Sequence, residues 1–210
     1  MLINSECDLT MYFNFFKRIF DFIASLFGFV FLSPLFLLLT IYLYFVNNGK
    51  PFFFQERPGK NEKKFKIIKF KTMNDKVDFE GDLLPMGDRI TPIGAFMRKA
   101  SLDEIPQLIN VIKGDMSLIG PRPLLVEYLP MYTKKQQKRH AVRPGVTGWA
   151  QVNGRNFVTL KDKLAMDVWY VENASLKLDF VILLKTIKKI IIRSDVAHVE
   201  AKITKDDFIE

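Results

Sequence analysis

The chain has 210 residues, 49% of them hydrophobic, and its 31 Lys and Arg against 23 Asp and Glu give a net charge of +8. That length suits one domain with an appended segment, and the positive balance suits polyanionic partners: nucleic acid, phosphorylated metabolites or anionic lipid. A single cysteine, Cys7, excludes an internal disulfide framework and a cysteine-rich zinc site, and His140 and His198 lack ligand-like spacing.

Residues 1–10 read as a flexible extension. From Phe22 to Val46 no residue is charged, about 25 positions, enough at ~1.5 Å per residue to cross a ~30 Å hydrocarbon layer. This assigns residues 11–48 to the membrane, and the absence of a small-residue cleavage site after so long a run argues against a cleaved signal peptide. Lys17 and Arg18 precede the run, while Lys50, Arg57, Lys60, Lys63 and Lys64 follow it. The positive-inside rule therefore draws both ends to the cytoplasmic side. Ser33-Pro34 lies near the middle, where Pro34 withholds a backbone donor and crowds the Val30 carbonyl, and the Ser33 hydroxyl can satisfy freed groups. The prediction is a re-entrant helix-break-helix hairpin, with a kinked single span as the alternative.

Phe52 to Gln55 and Phe65 to Lys71 read as strands joined by turn residues Arg57 to Asn61, a β-hairpin. A period of two places Lys69 and Lys71 on one face and Phe70 on the other, although edge lysines are also ordinary solvated groups. Residues 74–90 contain Gly81, Pro85 and Gly87 and read as a long loop, a candidate lid or membrane contact. Thr91-Pro92 opens a short helix carrying Arg98 and Lys99, which directly precede an acidic pair and predict salt bridges with it.

That pair lies in Ser101-Leu102-Asp103-Glu104-Ile105-Pro106. Apolar Leu108, Ile109, Val111 and Ile112 predict a helix running to Lys113 and stopped by Gly114. Pro106 falls in its first turn, where the missing N–H costs little, so Asp103 and Glu104 sit at the electropositive end. Ser101 and Glu104 also match a capping box, an ordinary structural device. Further on, prolines on both sides of Arg122 restrict its backbone, and a rigid arginine suits bidentate capture of phosphate or carboxylate. Lys134 to Arg139 is a basic helical run, read as a solvated face or as a contact for anionic lipid or nucleic acid. Arg143 to Arg155 combines tight turns, a short strand and polar groups, with the spacing of neither a Walker A loop nor a dinucleotide fingerprint. A helix from about Leu160 to Asn173 follows. Leu178 to Arg193, with Lys185, Lys188 and Lys189, reads as a basic amphipathic helix at a membrane interface or as a core helix with a basic face. These elements make an α+β fold: helices around a small hairpin in a catalytic domain over 49–195, with amphipathic surface helices and a polar tail at 196–210.

Lys69, Lys71, Arg98, Arg122, Arg143 and Arg155 thus accompany one acidic pair in a membrane-tethered chain. Cations neutralise phosphate oxygens during phosphoryl transfer, and a carboxylate can hold Mg²⁺ or attack phosphorus. With these residues the chain resembles the small monotopic bacterial phosphoglycosyl transferases, the bacterial sugar transferase family that starts glycoconjugate assembly on polyprenyl phosphate. The matching pieces are Ser33-Pro34, Lys69-Phe70-Lys71-Thr72-Met73, Ser101 to Gln107, Pro121-Arg122-Pro123, Arg143 to Gly148, Gln151 and Gly154-Arg155. Lys71 departs from the arginine that many members carry, and within the family the chain looks most like members that load N,N′-diacetylbacillosamine phosphate onto undecaprenyl phosphate for protein N-glycosylation.

The resemblance implies a two-step reaction. Asp103 attacks the β-phosphate of a UDP-sugar, releases UMP and holds a phosphosugar until polyprenyl phosphate displaces it. It also implies that Glu104 supports Mg²⁺ or proton transfer, the metal being held by Asp103 and Glu104. Arg98 and Arg122 would hold phosphates; Lys69, Gln151 and Arg155 would help bind the nucleotide or the acidic pair; Lys71 and Arg143 complete the substrate-binding cations. The catalytic domain is expected on the cytoplasmic face of the bacterial inner membrane. No nucleic-acid partner is expected, because no groove-reading helix or aromatic-basic platform is present. The sugar, the residue reading uracil and the oligomeric state stay open.

Overall fold

The computed structural model describes residues 12–154, 159–192 and 208. The predicted extension, Arg155, Arg193 and the tail apart from Phe208 lie outside them, as do Cys7 and His198.

A π-helical turn, Tyr12–Phe16, leads into α1, Lys17–Val46. The helix runs on through Pro34, which corrects the predicted break. The Ser33 hydroxyl donates to the Val30 carbonyl at 2.7 Å, supplying the partner that the proline nitrogen cannot. The helix is long and apolar enough to cross a membrane, and Phe31 and Phe45 are 83% and 76% exposed. Burial of such rings is worth about 2 kcal/mol each, so a wholly aqueous setting for this face is costly.

Both ends of α1 are fastened to the same body. At its start Lys17 pairs with Asp179, and Arg18 donates to the carbonyls of Val111 and Ile112 at 2.6 and 2.8 Å. Asp21 accepts from the Ser117 hydroxyl at 2.6 Å and the Leu118 N–H at 3.2 Å. Towards its end Leu39 and Leu43 form a core with Phe70, Met97 and Ile105. Asn47, one residue past the helix, donates to the Lys71 carbonyl at 2.9 Å.

The predicted hairpin is present as β1, Phe52–Pro58, and β2, Lys64–Phe70, antiparallel with Phe52 opposite Phe70. The reversal falls later than predicted, at Gly59 to Lys63, with Asn61 and Glu62 left-handed. Arg57 and Pro58 stay in the strand because a two-stranded sheet has outer edges where a missing N–H loses nothing. The 74–90 loop is partly structured, with bridges Val77–Leu83 and Met73–Ile90 and a short helix α2, Met86–Arg89.

Helix α3, Pro92–Lys99, starts as predicted, the Thr91 hydroxyl accepting from the Gly94 N–H at 3.0 Å. Gly94 is needed there: a Cβ would lie 2.0 Å from the Thr72 carbonyl oxygen, so only glycine lets α3 rest on the chain leaving β2. A 3₁₀ turn, Leu102–Glu104, follows, then α4, Gln107–Lys113, which Gly114 ends with a φ of 94°. Beyond it β3, Ser117–Ile119, pairs in parallel with β4, Gly145–Thr147. Between them lies α5, Lys134–Gln137. The basic run there is not simply a solvated face: Arg139 is 2% exposed and pairs with buried Asp167 at 2.7 Å, because a buried guanidinium requires an anion.

Three helices complete the domain: α6, Trp149–Asn153; α7, Leu160–Asn173; and α8, Leu176–Ile192. In α8 part of the basic face turns to the domain, Lys185 donating to Asn153 Oδ1 at 2.6 Å and Lys189 to Gln151 O at 3.0 Å. Ile182 and Asp179 are buried against the domain, while Leu176, Phe180, Leu184 and Ile187 form an exposed apolar stripe.

Candidate active site

The acidic pair is presented by a turn rather than by the first turn of a long helix. Ser101 is left-handed, with φ 55°, and its side chain makes no capping bond. Its backbone is engaged instead: the N–H donates to Arg98 O at 3.1 Å and the carbonyl accepts from Glu104 N–H at 3.3 Å. The predicted capping box is thereby corrected, and the Glu104 side chain is free to turn outward.

It turns to two cations. Lys69 Nζ donates to Glu104 Oε1 at 2.7 Å, and Arg122 Nη2 donates to the same oxygen at 3.0 Å. Charged donors to a carboxylate are stronger than a backbone cap, which explains the choice. Asp103 lies alongside, its Oδ2 3.8 Å from Lys69 Nζ. Among the described residues no hydrogen bond reaches the Asp103 carboxylate or Glu104 Oε2.

The two carboxyl groups are pushed apart electrostatically. Burial, then the charge of Glu104, raises Asp103 above the ordinary carboxylate value, against the pull of Lys69, Arg98 and Arg122. Burial also presses Glu104 upward, but Arg122 and Lys69 overcome it and hold that group down at about 2. Neighbouring carboxyl groups with divergent proton affinities are the usual sign of a division of labour.

Several predicted cations take other posts. Arg98 lines the same cleft, but its Nε donates to the buried Thr72 hydroxyl at 2.9 Å. Among the described residues neither Arg98 nor Lys99 makes the predicted salt bridge with the pair. Lys71 pairs with Asp75; β2 ends at Phe70, so the alternation that would have aligned Lys71 with Lys69 has already lapsed. Arg143 does not join the pair: its Nε donates to Gly114 O at 2.9 Å, closing the carbonyl end of α4. Gln151 lines the cleft, Nε2 donating to Val146 O at 2.9 Å while buried Oε1 has no partner among the described residues. Arg155 lies outside the described residues.

The cleft, of about 1660 Å³, has Leu32 of α1 and Phe52, Phe53 and Phe54 along an apolar wall, with Lys69, Arg98 and Arg122 near the carboxylates. It thus brings apolar residues of α1 and β1 together with a polar centre. Arg57 and Thr72 also face it. Sequence reading missed both: Arg57 looked like a turn residue, and only the strand extension reveals its side. One carboxylate without hydrogen-bonded partners, a second locked to cations and further cations nearby can carry out nucleophilic attack on phosphorus.

The family model for bacterial sugar transferases matches residues 12–193. The chain is 48% identical over 190 residues to a protein of Bacillus subtilis (strain 168) called uncharacterized sugar transferase EpsL, covering 89% of this chain and 94% of that one. Exopolysaccharide production protein ExoY of Rhizobium meliloti (strain 1021) is 39% identical over 188 residues, 81% of this chain and 83% of its own. The undecaprenyl-phosphate galactose phosphotransferase of Salmonella typhimurium is 38% identical over 205 residues, 88% of this chain but 42% of that larger protein. Agreement over this length makes the chain an enzyme of the bacterial sugar transferase family.

Proposed function

We propose that the enzyme transfers a sugar-1-phosphate from a UDP-sugar to undecaprenyl phosphate, releasing UMP, through an aspartyl intermediate on Asp103. Relatives named as undecaprenyl-phosphate phosphotransferases support the overall transfer: one for galactose at 38% identity, one for N-acetylgalactosamine at 38% and one for glucose at 37%. Those names span three sugars, so they do not support the narrower bacillosamine expectation over another sugar, and the donor sugar is not assigned. The observation that carries the reading is Asp103 itself, a carboxylate without hydrogen-bonded partners among the described residues, 3.8 Å from Lys69 and beside a Glu104 already locked to two cations.

In the first step an Asp103 oxygen bonds to the β-phosphorus, the bond from that phosphorus to the bridging oxygen breaks, and UMP leaves with the oxygen. In the second, a phosphate oxygen of the lipid bonds to the same phosphorus and the aspartate carboxylate is regenerated. Arg122 and Lys69 keep Glu104 ionised, and the nearby positive charge of Arg98 stabilises an ionised Asp103. The donor set suits Mg²⁺: two carboxylates offer hard oxygens not used in hydrogen bonds, and that ion commonly takes one or two carboxylates plus substrate phosphate. Asp103 and Glu104 would hold it, and it would supply charge neutralisation on the diphosphate.

A re-entrant α1, bent at Pro34 while its helical backbone continues, accords with both of its ends being anchored on one domain, through Lys17 to Asp179 and through Asn47 to Lys71. A straight span would carry those anchors to opposite sides of the bilayer. The catalytic domain then lies on the cytoplasmic face of the inner membrane, where a soluble nucleotide sugar and a lipid phosphate can meet. The chemistry is tested by UMP release and by isolating a phosphosugar bound to protein. Asp103→Asn is expected to abolish both while leaving the melting temperature within a few degrees, and surviving UMP release would remove Asp103 from the role. Topology is tested by placing cysteines at positions 12 and 50: both should label from the cytoplasmic side, whereas labelling from opposite sides would establish a span.

A further inference from the structure

We propose that Arg57 and Arg122 together form a phosphate-binding subsite in the cleft, with Arg57 supplying the positive charge that Glu104 does not neutralise. This rests on the transferase reading, which provides two phosphate-bearing substrates. Arg57, near the end of β1, and Arg122, between two prolines, come from distant parts of the chain and line one cleft. Arg122 has its carboxylate in Glu104. Arg57 makes no ion pair among the described residues: Nη2 donates to the Gln55 amide oxygen at 2.6 Å, Nη1 reaches Pro123 O only at 3.5 Å, and buried Nε has no partner.

A partly buried guanidinium held by one neutral bond and one marginal contact has lost hydration without gaining an anion. Burial and then the like charge of Arg122 press its proton affinity below the ordinary value, and Tyr128, Tyr132 and Glu127 act the other way without forming an ion pair. An anion between the two guanidinium groups would relieve both effects. Gln55 fixes one terminal nitrogen, leaving weakly used Nη1 for a phosphate oxygen. A planar fork suits phosphate better than an ammonium does, because it can donate two parallel bonds. The phosphate belongs either to the nucleotide sugar or to the lipid.

The test uses the full chain in lipid nanodiscs, with Arg57→Gln and Arg57→Lys compared with the unaltered protein. Arg57→Gln is expected to raise one KM by about tenfold or more, as loss of a charged hydrogen bond implies, with kcat and melting temperature nearly unchanged and partial recovery in Arg57→Lys. A rise for the UDP-sugar, with weaker inhibition by UMP, assigns the nucleotide phosphate; a rise for undecaprenyl phosphate alone assigns the lipid. Either supports the subsite. If both KM values stay within about twofold, or if kcat and melting temperature fall together without a KM change, Arg57 only braces the Pro123 loop and the proposal is overturned. Calorimetric binding of inorganic pyrophosphate separates this idea from the transferase reading. Should the unaltered chain release no UMP from any donor, an Arg57-dependent pyrophosphate affinity still upholds the subsite, and an unchanged affinity in Arg57→Gln refutes it.

Discussion

Replacing Arg122 by glutamine isolates the contact that holds the second carboxylate in place. Glu104 is 18% exposed, and its carboxyl group lies at about 2 instead of 4.5. At ~1.4 kcal/mol per unit this is about 3 kcal/mol favouring the ionised form, shared between Lys69 and Arg122. Arg122 is 43% exposed, so water screens its part and about 1 kcal/mol is a fair share for it. A double-mutant cycle of Arg122→Gln with Glu104→Gln, read by thermal unfolding at pH 7, should show a coupling of about 1 kcal/mol. The sign with pH is defined. A depressed carboxyl group contributes stability above its unfolded value of 4.5 and loses it as pH falls towards about 2. The advantage of the unaltered protein over Arg122→Gln should therefore shrink across that interval. A coupling near zero at pH 7, or one that grows on acidification, would show that Glu104 does not depend on Arg122.

Two further outcomes are expected. Lys17→Met leaves Asp179 buried without its cation, the Tyr12 and Tyr170 hydroxyls, the only other side-chain donors to it among the described residues, still donating at 2.7 Å each. A loss of about 3 kcal/mol is expected, largely restored by adding Asp179→Asn; a melting temperature unchanged by Lys17→Met would refute the anchor. His140 is 6% exposed, and burial, followed by the charge of Arg139, lowers it from 6.5 to about 4. The folded state thus binds fewer protons than the unfolded state between those values, and stability should fall as pH drops from 6.5 towards 4, by roughly 3 kcal/mol at ~1.4 kcal/mol per unit. His140→Gln should flatten that part of a melting-temperature profile, and an equally steep profile would exclude His140 as its source.

Much of the local structure was legible because it depends on neighbours in sequence. Thr91 before Pro92 and Gly114 after an apolar stretch appear where short-range stereochemistry puts them, and the strands on either side of a glycine-containing turn form the expected hairpin with its reversal two residues later. The capping box was misread because Ser101 matches that pattern locally while adopting the left-handed conformation needed to join α3 to the acidic turn. The Ser33-Pro34 step was read correctly as chemistry but not as a break, since one hydroxyl satisfies the freed carbonyl without ending the helix.

The sequence by itself determined the long uncharged run, the hairpin, the acidic pair and the set of cations, because periodicity, turn preference and residue type are local properties. Only the tertiary structure decided which cation serves which anion. Lys69 and Arg122 reach Glu104 across 35 and 18 residues, Arg98 turns to Thr72, Lys71 stays with Asp75, Arg143 closes α4 and Arg57 faces the cleft. Charge carries no address along a chain: many lysines and arginines are equivalent until strands, loops and helices pack. Packing then selects the few whose reach and desolvation make a given pair favourable.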